Sequence, residues 1–137
     1  MTAPKRYRYS EIFGGNAGPT PTIQGEGRYA GHPTVWIRFW GCNFNCDGFG
    51  QRDPRDRSTW SLDYQTFDPK AAGITKMDDL PVWTTGCDSS YSWSQKYGHL
   101  AHQSTAEEIC ADFRSRLQGG SFRHPRSGQD VHLAFTG

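Results

Sequence analysis

The chain has 137 residues and a formal net charge of +1, with 15 basic and 14 acidic residues. A chain of this length forms at most one domain, and its lack of any block of like charge argues against nucleic acid or an anionic membrane as a partner. Aromatic residues make up 14% of the sequence, which argues against disorder because disordered chains lack large side chains to bury.

The sequence also predicts a compartment. No stretch reaches the roughly 20 apolar residues of a membrane span, and no signal peptide is recognisable. The four cysteines could form two disulfides, but without a secretory signal, reduced thiols that bind metal are the favoured interpretation. We therefore expect a cytoplasmic protein.

The first half of the chain predicts two strands. Residues 7–13 read as a short strand, followed by a loop rich in Gly, Pro and Thr over 14–22. Residues 34–40 are the clearest strand, because β-branched and aromatic residues fill them apart from Arg38. A run this apolar indicates a strand covered on both faces, as in a parallel α/β sheet, and a charge within it needs a partner.

Residues 47–85 differ in character, with charged turns and no sustained periodicity. A loop this long inside a compact domain is usually functional or inserted, so we predict an insertion. Its aromatic residues could form a small core of their own or a lid over a site. They are Trp60, Tyr64, Phe67 and Trp83.

The last third predicts a helix and a strand. Ser104 and Thr105 are N-cap candidates for a helix over 104–117, since each is followed three residues later by Glu. The expected apolar face of this helix, with Cys110 as a buried free thiol, is Ala106, Ile109, Cys110, Phe113 and Leu117. A buried strand over 131–136 follows, so strand, helix and strand predict a parallel crossover. We expect the chain to be the N-terminal part of a longer protein.

Three cysteines lie in loop-like contexts. Cys42 and Cys46 follow the strand over 34–40, and Cys87 lies far downstream in Thr-Gly-Cys-Asp-Ser-Ser-Tyr. Soft thiolates on loops suit an iron–sulfur cluster or zinc. A [4Fe–4S] cluster held by three Cys leaves one iron open to a small chelating molecule, whereas structural zinc normally takes four protein ligands. His99 and His102 are the candidates to complete a zinc site with the Cys pair.

An ordered set of motifs surrounds these cysteines. Its members are Glu11-Ile-Phe13, Thr22-Ile-Gln-Gly-Glu-Gly27, Gly31-His-Pro33, Trp36-Ile-Arg38 and Gly41-Cys-Asn43. Together they resemble the N-terminal signature of 7-carboxy-7-deazaguanine synthase, a radical S-adenosylmethionine enzyme of the queuosine and 7-deazapurine pathway. The later segments Cys87-Asp-Ser-Ser-Tyr-Ser-Trp93, Thr105-Ala-Glu-Glu-Ile109 and Leu133-Ala-Phe-Thr-Gly137 fit its continuation. The resemblance covers almost all of the chain outside 47–85.

One position departs from the family pattern. The family reads Cys-x3-Cys-x2-Cys, and Phe49 stands where its third Cys would fall. We interpret the departure as an insertion between the second and third ligands, so that Cys42, Cys46 and Cys87 bind the cluster. The resemblance implies a partial (β/α) radical S-adenosylmethionine barrel with parallel strands and a crossover helix. In the family, the reduced cluster cleaves S-adenosylmethionine, and the resulting radical abstracts hydrogen from 6-carboxytetrahydropterin before ring contraction.

The resemblance also implies roles for individual residues, with no protein side chain assigned as catalytic. The substrate-binding residues would be Ile23, Gln24, Gly25, Arg38 and Thr136, with Arg38 pairing the substrate carboxylate through bidentate hydrogen bonds. Gly86, Cys87 and Asp88 would contact S-adenosylmethionine, and Ser89 would help to hold Mg²⁺. A reductant such as flavodoxin is the implied partner, and a homodimer is possible. Two alternatives stay open: a non-catalytic zinc-stabilised binding module, and an inactive truncated product of the same family.

Overall fold

The computed structural model of the protein describes residues 2–19, 21–44 and 46–137. The chain divides into two compact units. The first unit comprises Met1–Phe39 and His102–Gly137, and the second comprises Trp40–Ala101. The predicted insertion over 47–85 lies within the second unit.

The first unit is a four-stranded mixed sheet with one long helix. Its strands are β1 (Arg6–Gly14), β2 (Thr34–Phe39), β3 (His102–Thr105) and β4 (His132–Thr136), in the order β3-β1-β2-β4. β1 runs antiparallel to both β2 and β3, whereas β2 and β4 are parallel. The predicted strands over 7–13, 34–40 and 131–136 are confirmed with small shifts of their ends, and so is the parallel connection between the last two.

The predicted barrel is wrong. A (β/α) barrel needs successive parallel strands, each followed by a helix that returns the chain to the same end of the sheet. In the described residues between β1 and β2 there is no such helix, so the chain turns back and the two strands pair antiparallel. The sheet stays open, with β3 and β4 at its edges.

The helix that follows β3 packs on one face of the sheet. This helix is α2 (Ala106–Ser115), and its N-cap is Thr105. The helix α1 (Asp63–Thr66) belongs to the second unit. The Thr105 hydroxyl accepts a hydrogen bond from the Glu108 backbone N–H at 3.2 Å, and the Glu108 carboxylate accepts one from the Thr105 N–H at 2.8 Å. This capping box satisfies two N–H groups that would otherwise have no partner in the helix. The core between sheet and helix is built from Tyr9, Val35, Ile37, Ile109, Phe113, Leu117 and Val131.

Two details of the helix differ from expectation. Ser104 belongs to β3 rather than to the helix, where it pairs with Tyr7 of β1. Cys110 is exposed rather than buried. It lies at the edge of the apolar face, beside Ala106, where both residues line an open apolar groove of about 280 Å³. Cys110 is four residues after Ala106 and three before Phe113, so it lies next to the apolar face of the helix. It is nevertheless not covered by the sheet, and its side chain stays exposed.

The second unit has no strand among its described residues, 40–44 and 46–101. It contains the single-turn helix α1 (Asp63–Thr66) and four short 3-10 helices, which are Arg57–Thr59, Met77–Asp79, Ser90–Ser92 and Gln95–Leu100. A further short 3-10 helix, Gln118–Gly120, belongs to the first unit. The second unit has its own buried cluster, formed by Tyr64, Met77, Trp83, Tyr97 and Leu100, with Phe67 packed against it. Tyr64, Phe67 and Trp83 therefore contribute to a core, which is the first of the two alternatives for the segment 47–85.

Candidate functional site

Backbone hydrogen bonds hold the three cysteine-bearing segments together in the second unit. The Gly41 N–H, next to Cys42, donates to the Ser92 carbonyl at 2.8 Å. The turn that begins at Cys46 ends at Phe49, whose carbonyl accepts from the Gly86 N–H at 2.7 Å. Since Gly86 precedes Cys87, these bonds join segments that lie about 40 to 50 residues apart in the sequence.

Two glycines allow this close approach. Gly50 and Gly86 both have positive φ angles, +68° and +75°, a region that residues with a Cβ rarely adopt. A Cβ at Gly50 would lie 2.4 Å from the Thr84 carbonyl oxygen, and one at Gly86 would lie 2.8 Å from Leu62 Cδ2. The predicted contact residue Gly86 is thus favoured by its own positive φ angle, and a Cβ there would also force the Leu62 side chain to shift.

The three thiols differ in exposure, and two of them influence the ionisation of the third, Cys46. Cys42 is exposed, Cys46 is half-buried and Cys87 is buried. Burial raises the pKa of the Cys46 thiol above its usual value, and negative charge at Cys87 and Cys42 raises that pKa further, followed by Asp88 and Asp47. The two other predicted ligands are therefore close enough to Cys46 to oppose its ionisation.

Two N–H groups point at the sulfur atoms. The Phe44 backbone N–H lies 3.4 Å from Cys42 Sγ, and the Trp93 indole N–H lies 3.5 Å from Cys87 Sγ. Sulfur is a weak acceptor as a thiol and a better one as a thiolate, so such donors favour the ligand form of cysteine. Beside Cys46, an apolar pocket of about 410 Å³ is lined by Gly48, Phe49, Gly50 and Pro54.

A complete metal site is not assembled within the part of the chain that the structure describes. No group of three or more His, Cys, Asp or Glu there is arranged to hold a metal ion. The two histidines of the zinc alternative lie in different units. His99 is exposed in the second unit, whereas His102 lies in β3 of the first unit and stacks on Tyr9 at 5.3 Å between ring centroids.

The residues after Cys87 form a short polar surface. Asp88 is exposed, and the Ser89 hydroxyl donates a hydrogen bond to Asp88 Oδ1 at 2.9 Å. On the other side of the site, the Tyr64 hydroxyl donates to Asp47 Oδ2 at 3.0 Å, and burial raises the pKa of Tyr64. Oxygen donors thus lie directly beside the predicted cluster ligands, as a hard cation requires.

The first unit brings two of the predicted substrate residues together. Arg38 of β2 and Thr136 of β4 are direct partners in the parallel ladder, and Glu11 of β1 is the partner of Arg38 on its other side. Arg38 Nε lies 2.9 Å from Glu11 Oε1, with both side chains about one-quarter exposed. The Thr136 hydroxyl oxygen is buried and has no hydrogen-bond partner among the described residues. These three residues form a polar row across the carboxyl ends of two parallel strands.

The polar row lies on the face of the sheet opposite α2. Side chains alternate between the faces of a strand, so Phe13 and Trp36 share this face with Glu11 and Arg38. Their rings stack with centroids 5.9 Å apart and planes within 4° of parallel. The face therefore combines a flat aromatic surface with a guanidinium and a buried hydroxyl.

The other three predicted substrate residues lie elsewhere. Ile23 forms an isolated bridge with Pro33, and the Gln24 N–H donates to the His32 carbonyl at 2.9 Å. The Gln24 side chain accepts from the Gly25 N–H at 3.0 Å. This loop adjoins the residues that precede β2, whereas Arg38 is four residues into the strand, about 13 Å further along at 3.3 Å per residue. The structure does not bring Ile23, Gln24 and Gly25 to the polar row.

Sequence reasoning missed Glu11 as the partner of Arg38. The two residues carry opposite charges within two predicted strands, and that pattern is the signal that could have paired them. It could not have shown that the two strands are antiparallel neighbours in this register. Trp36 begins the motif Trp36-Ile-Arg38, but nothing in the sequence alone assigns it a role.

Comparison with known protein families, with curated proteins and with solved structures finds no match to this chain. Within residues 2–19, 21–44 and 46–137, no helix combines the length and apolar character needed to cross a membrane.

Proposed function

We propose that this chain carries the cluster-binding and substrate-binding residues of a radical S-adenosylmethionine enzyme of the 7-carboxy-7-deazaguanine synthase type. Its substrate would be 6-carboxytetrahydropterin. The observation that carries the proposal is the polar row, in which Arg38 and Thr136 are neighbours across β2 and β4. These are two residues that the ordered motifs assign to the substrate, and they are more than 90 residues apart in the sequence. The proposal does not depend on a barrel.

The substrate would bind through charge and shape. The Arg38 guanidinium would accept the carboxylate through paired hydrogen bonds, while Glu11 fixes its orientation from the opposite side. The buried Thr136 hydroxyl would gain the hydrogen bond that it lacks among the described residues, which favours a polar ligand because an unpartnered buried hydroxyl is costly. The Phe13–Trp36 pair offers a flat surface for a heterocycle.

Cys42, Cys46 and Cys87 would hold the [4Fe–4S] cluster. Three soft thiols without a fourth protein ligand fit a cluster with one open iron better than structural zinc. The donors at Phe44 and Trp93 would stabilise the thiolates. When bound, the cluster supplies the one-electron reduction of S-adenosylmethionine that starts radical chemistry. Metal binding would tie the exposed Cys42 to the half-buried Cys46 and the buried Cys87.

The surface after Cys87 would serve the cofactor. Gly86 and Asp88 would contact S-adenosylmethionine, and Ser89 would be an oxygen ligand for Mg²⁺ beside the Asp88 carboxylate. A flavodoxin-like reductant would deliver the electron in the cytoplasm, where thiols stay reduced.

Anaerobic reconstitution with iron and sulfide tests the cluster. We expect about four irons per chain and the absorbance of thiolate–iron charge transfer. Cys42→Ala, Cys46→Ala and Cys87→Ala should each abolish loading, and Cys110→Ala is the matched control because that thiol is in the other unit. Tight binding of one zinc with no cluster would favour the zinc module, and loss of the cluster in Cys110→Ala alone would show that the third ligand is misassigned.

Binding of 6-carboxypterin, a stable aromatic analogue, tests the substrate residues separately. Arg38→Gln should weaken binding by about 1.5–3 kcal/mol, the typical contribution of a hydrogen bond to a charged group, and Thr136→Val by about 1 kcal/mol. Pterin without the carboxylate should bind the Arg38→Gln variant and the unaltered protein equally. If Arg38→Gln weakens the binding of 6-carboxypterin and of pterin equally, the guanidinium does not recognise the carboxylate.

A further inference from the structure

A histidine pair lies at the amino ends of the parallel strands, in the first unit. His132 Nε2 is 3.1 Å from His32 Nδ1, although the two residues are 100 positions apart in the sequence. The Tyr29 ring packs against His132 with 4.5 Å between centroids and contacts His32 edge-on at 5.8 Å. This cluster is four strand residues away from the polar row, because His132 and Thr136 are the first and last residues of β4.

Backbone hydrogen bonds fix the main-chain positions of both histidines. The His32 carbonyl accepts hydrogen bonds from the Gln24 N–H at 2.9 Å and from the Thr34 hydroxyl at 3.0 Å. The His132 N–H donates to the Pro33 carbonyl at 2.8 Å, which fixes the two histidines relative to each other. A binding site formed by these rings would therefore be organised before any ligand arrives.

The spacing of the two nitrogens matches a chelate. Imidazole nitrogens lie about 2.0–2.1 Å from a divalent transition metal, so two of them are about 2.9 Å apart at a right angle and about 3.3 Å apart at a tetrahedral angle. The observed 3.1 Å lies between these values. We propose that His32 Nδ1 and His132 Nε2 chelate a late first-row divalent cation such as Ni²⁺, Cu²⁺ or Zn²⁺.

Binding needs only a change of tautomer. In the neutral pair one of the two facing nitrogens carries a proton and donates a hydrogen bond to the other, whereas the chelate needs both facing nitrogens unprotonated. His32 would keep its proton on Nε2 and His132 on Nδ1, so no net proton is released from the neutral pair. The described residues supply no group of three His, Cys, Asp or Glu, so the remaining coordination positions go to water or to an exchangeable ligand.

Titration calorimetry with Ni²⁺ tests the site on the reduced 137-residue chain. Ni²⁺ is chosen because, unlike Cu²⁺, it does not oxidise thiols. His32→Gln and His132→Gln should each weaken one binding event by at least about tenfold. His99→Gln, an exposed histidine of the other unit, should leave that event unchanged, and so should Cys42→Ser. Circular dichroism of each variant checks that the sheet is intact.

A second readout identifies the ligands directly. On addition of one equivalent of Zn²⁺ to the Cys42→Ser variant, the ring ¹⁵N resonances of His32 and His132 should shift together, and those of His99 and His124 should not. The proposal is overturned if the two histidine variants bind Ni²⁺ as tightly as the unaltered protein, or if only Cys42→Ser removes the event. Since the site uses no cysteine, its failure leaves the proposed function untouched.

Discussion

The two units are stabilised in different ways. In the first, a hydrogen-bonded ladder and the capped helix α2 fix the backbone, so many side chains could change without altering its course. In the second, no ladder exists in its described residues, and a cluster of aromatic rings holds a series of turns. Side chains there also satisfy backbone groups, as when the Tyr97 hydroxyl bonds the Tyr64 carbonyl at 2.5 Å. A fold of this second kind depends on a few particular residues.

This difference matches the two proposed tasks. Arg38 and Thr136, the residues proposed to bind an organic substrate, lie on paired strands of the sheet, where strand pairing fixes their spacing. The three thiols lie on loops, where metal binding can contribute to ordering because ligation and folding are coupled. A substitution in one unit should therefore destabilise that unit and leave the other unit folded.

The largest expected effect comes from Trp83, a ring of the second core. Trp83→Ala should destabilise the second unit by about 3–5 kcal/mol, because it leaves a large cavity among packed rings. Amide hydrogen exchange should show lost protection around residues 64–100 and unchanged protection in β1 and β2. Val82→Ala, at a neighbouring side chain that is 89% exposed, is the control. Equal loss of protection in β2 would mean that the two units unfold as one.

High pH should unfold the second unit first. Burial, with a smaller contribution from the nearby Tyr64, raises the pKa of Tyr97 from 10.0 to about 12. The unfolded chain loses this proton at lower pH than the folded chain, so the stabilisation is complete below pH 10 and is lost as pH rises towards 12. The loss is on the order of 2 kcal/mol. Denaturant titrations across this range should show it, and Tyr97→Phe should abolish this part of the pH dependence.

Gly86→Ala should have a moderate effect with a specific cause. Gly86 and Gly73 both have positive φ angles, near +75° and +71°, so alanine costs about 1 kcal/mol at either position. Only at Gly86 would the added Cβ meet another atom, Leu62 Cδ2 at 2.8 Å. Thermal unfolding should therefore show a larger loss for Gly86→Ala, of about 1–3 kcal/mol, together with reduced cluster loading. Equal losses in the two variants would contradict the packing argument.

The smallest expected effect concerns the helix cap of the first unit. Thr105→Ala removes the hydroxyl that accepts from the Glu108 N–H and should cost about 1 kcal/mol of unfolding free energy. Thr105→Ser keeps the hydroxyl and should stay close to the unaltered protein. Chemical denaturation followed by helix circular dichroism measures both, and a full-sized loss in Thr105→Ser would point to packing of the methyl group instead.

Local signals in the sequence were enough for most of the first unit. The apolar runs predicted β2 and β4, and the capping box with its apolar period predicted α2. β3 was missed because its sequence, His-Gln-Ser-Thr, has no apolar alternation, and it is a strand only because β1 offers a free edge. The barrel was wrong because strand partners are chosen by tertiary packing, which motifs do not encode.

The sequence proposed the residues of the candidate site, but it did not predict their arrangement. Thiol softness and motif order pointed to Cys42, Cys46 and Cys87, and these do lie in one unit. Register decided the rest: it brings Arg38 beside Thr136 and Glu11, and it leaves Ile23 to Gly25 at the far end of β2. No property of the separate segments specifies that register before the sheet forms.

The hydrogen bond between Gly86 and Phe49 bears on how cysteines that are far apart in the sequence could bind one metal centre. Forty residues separate Cys46 from Cys87, and closing a flexible loop of that length costs about 3 kcal/mol in chain entropy. Here the aromatic core and the bond between Gly86 and Phe49 hold the ends of this segment together, so a metal that bound as proposed would meet the second and third thiols at high effective concentration. Two metal ligands can thus be far apart in the sequence, provided that the residues between them fold with their two ends close together.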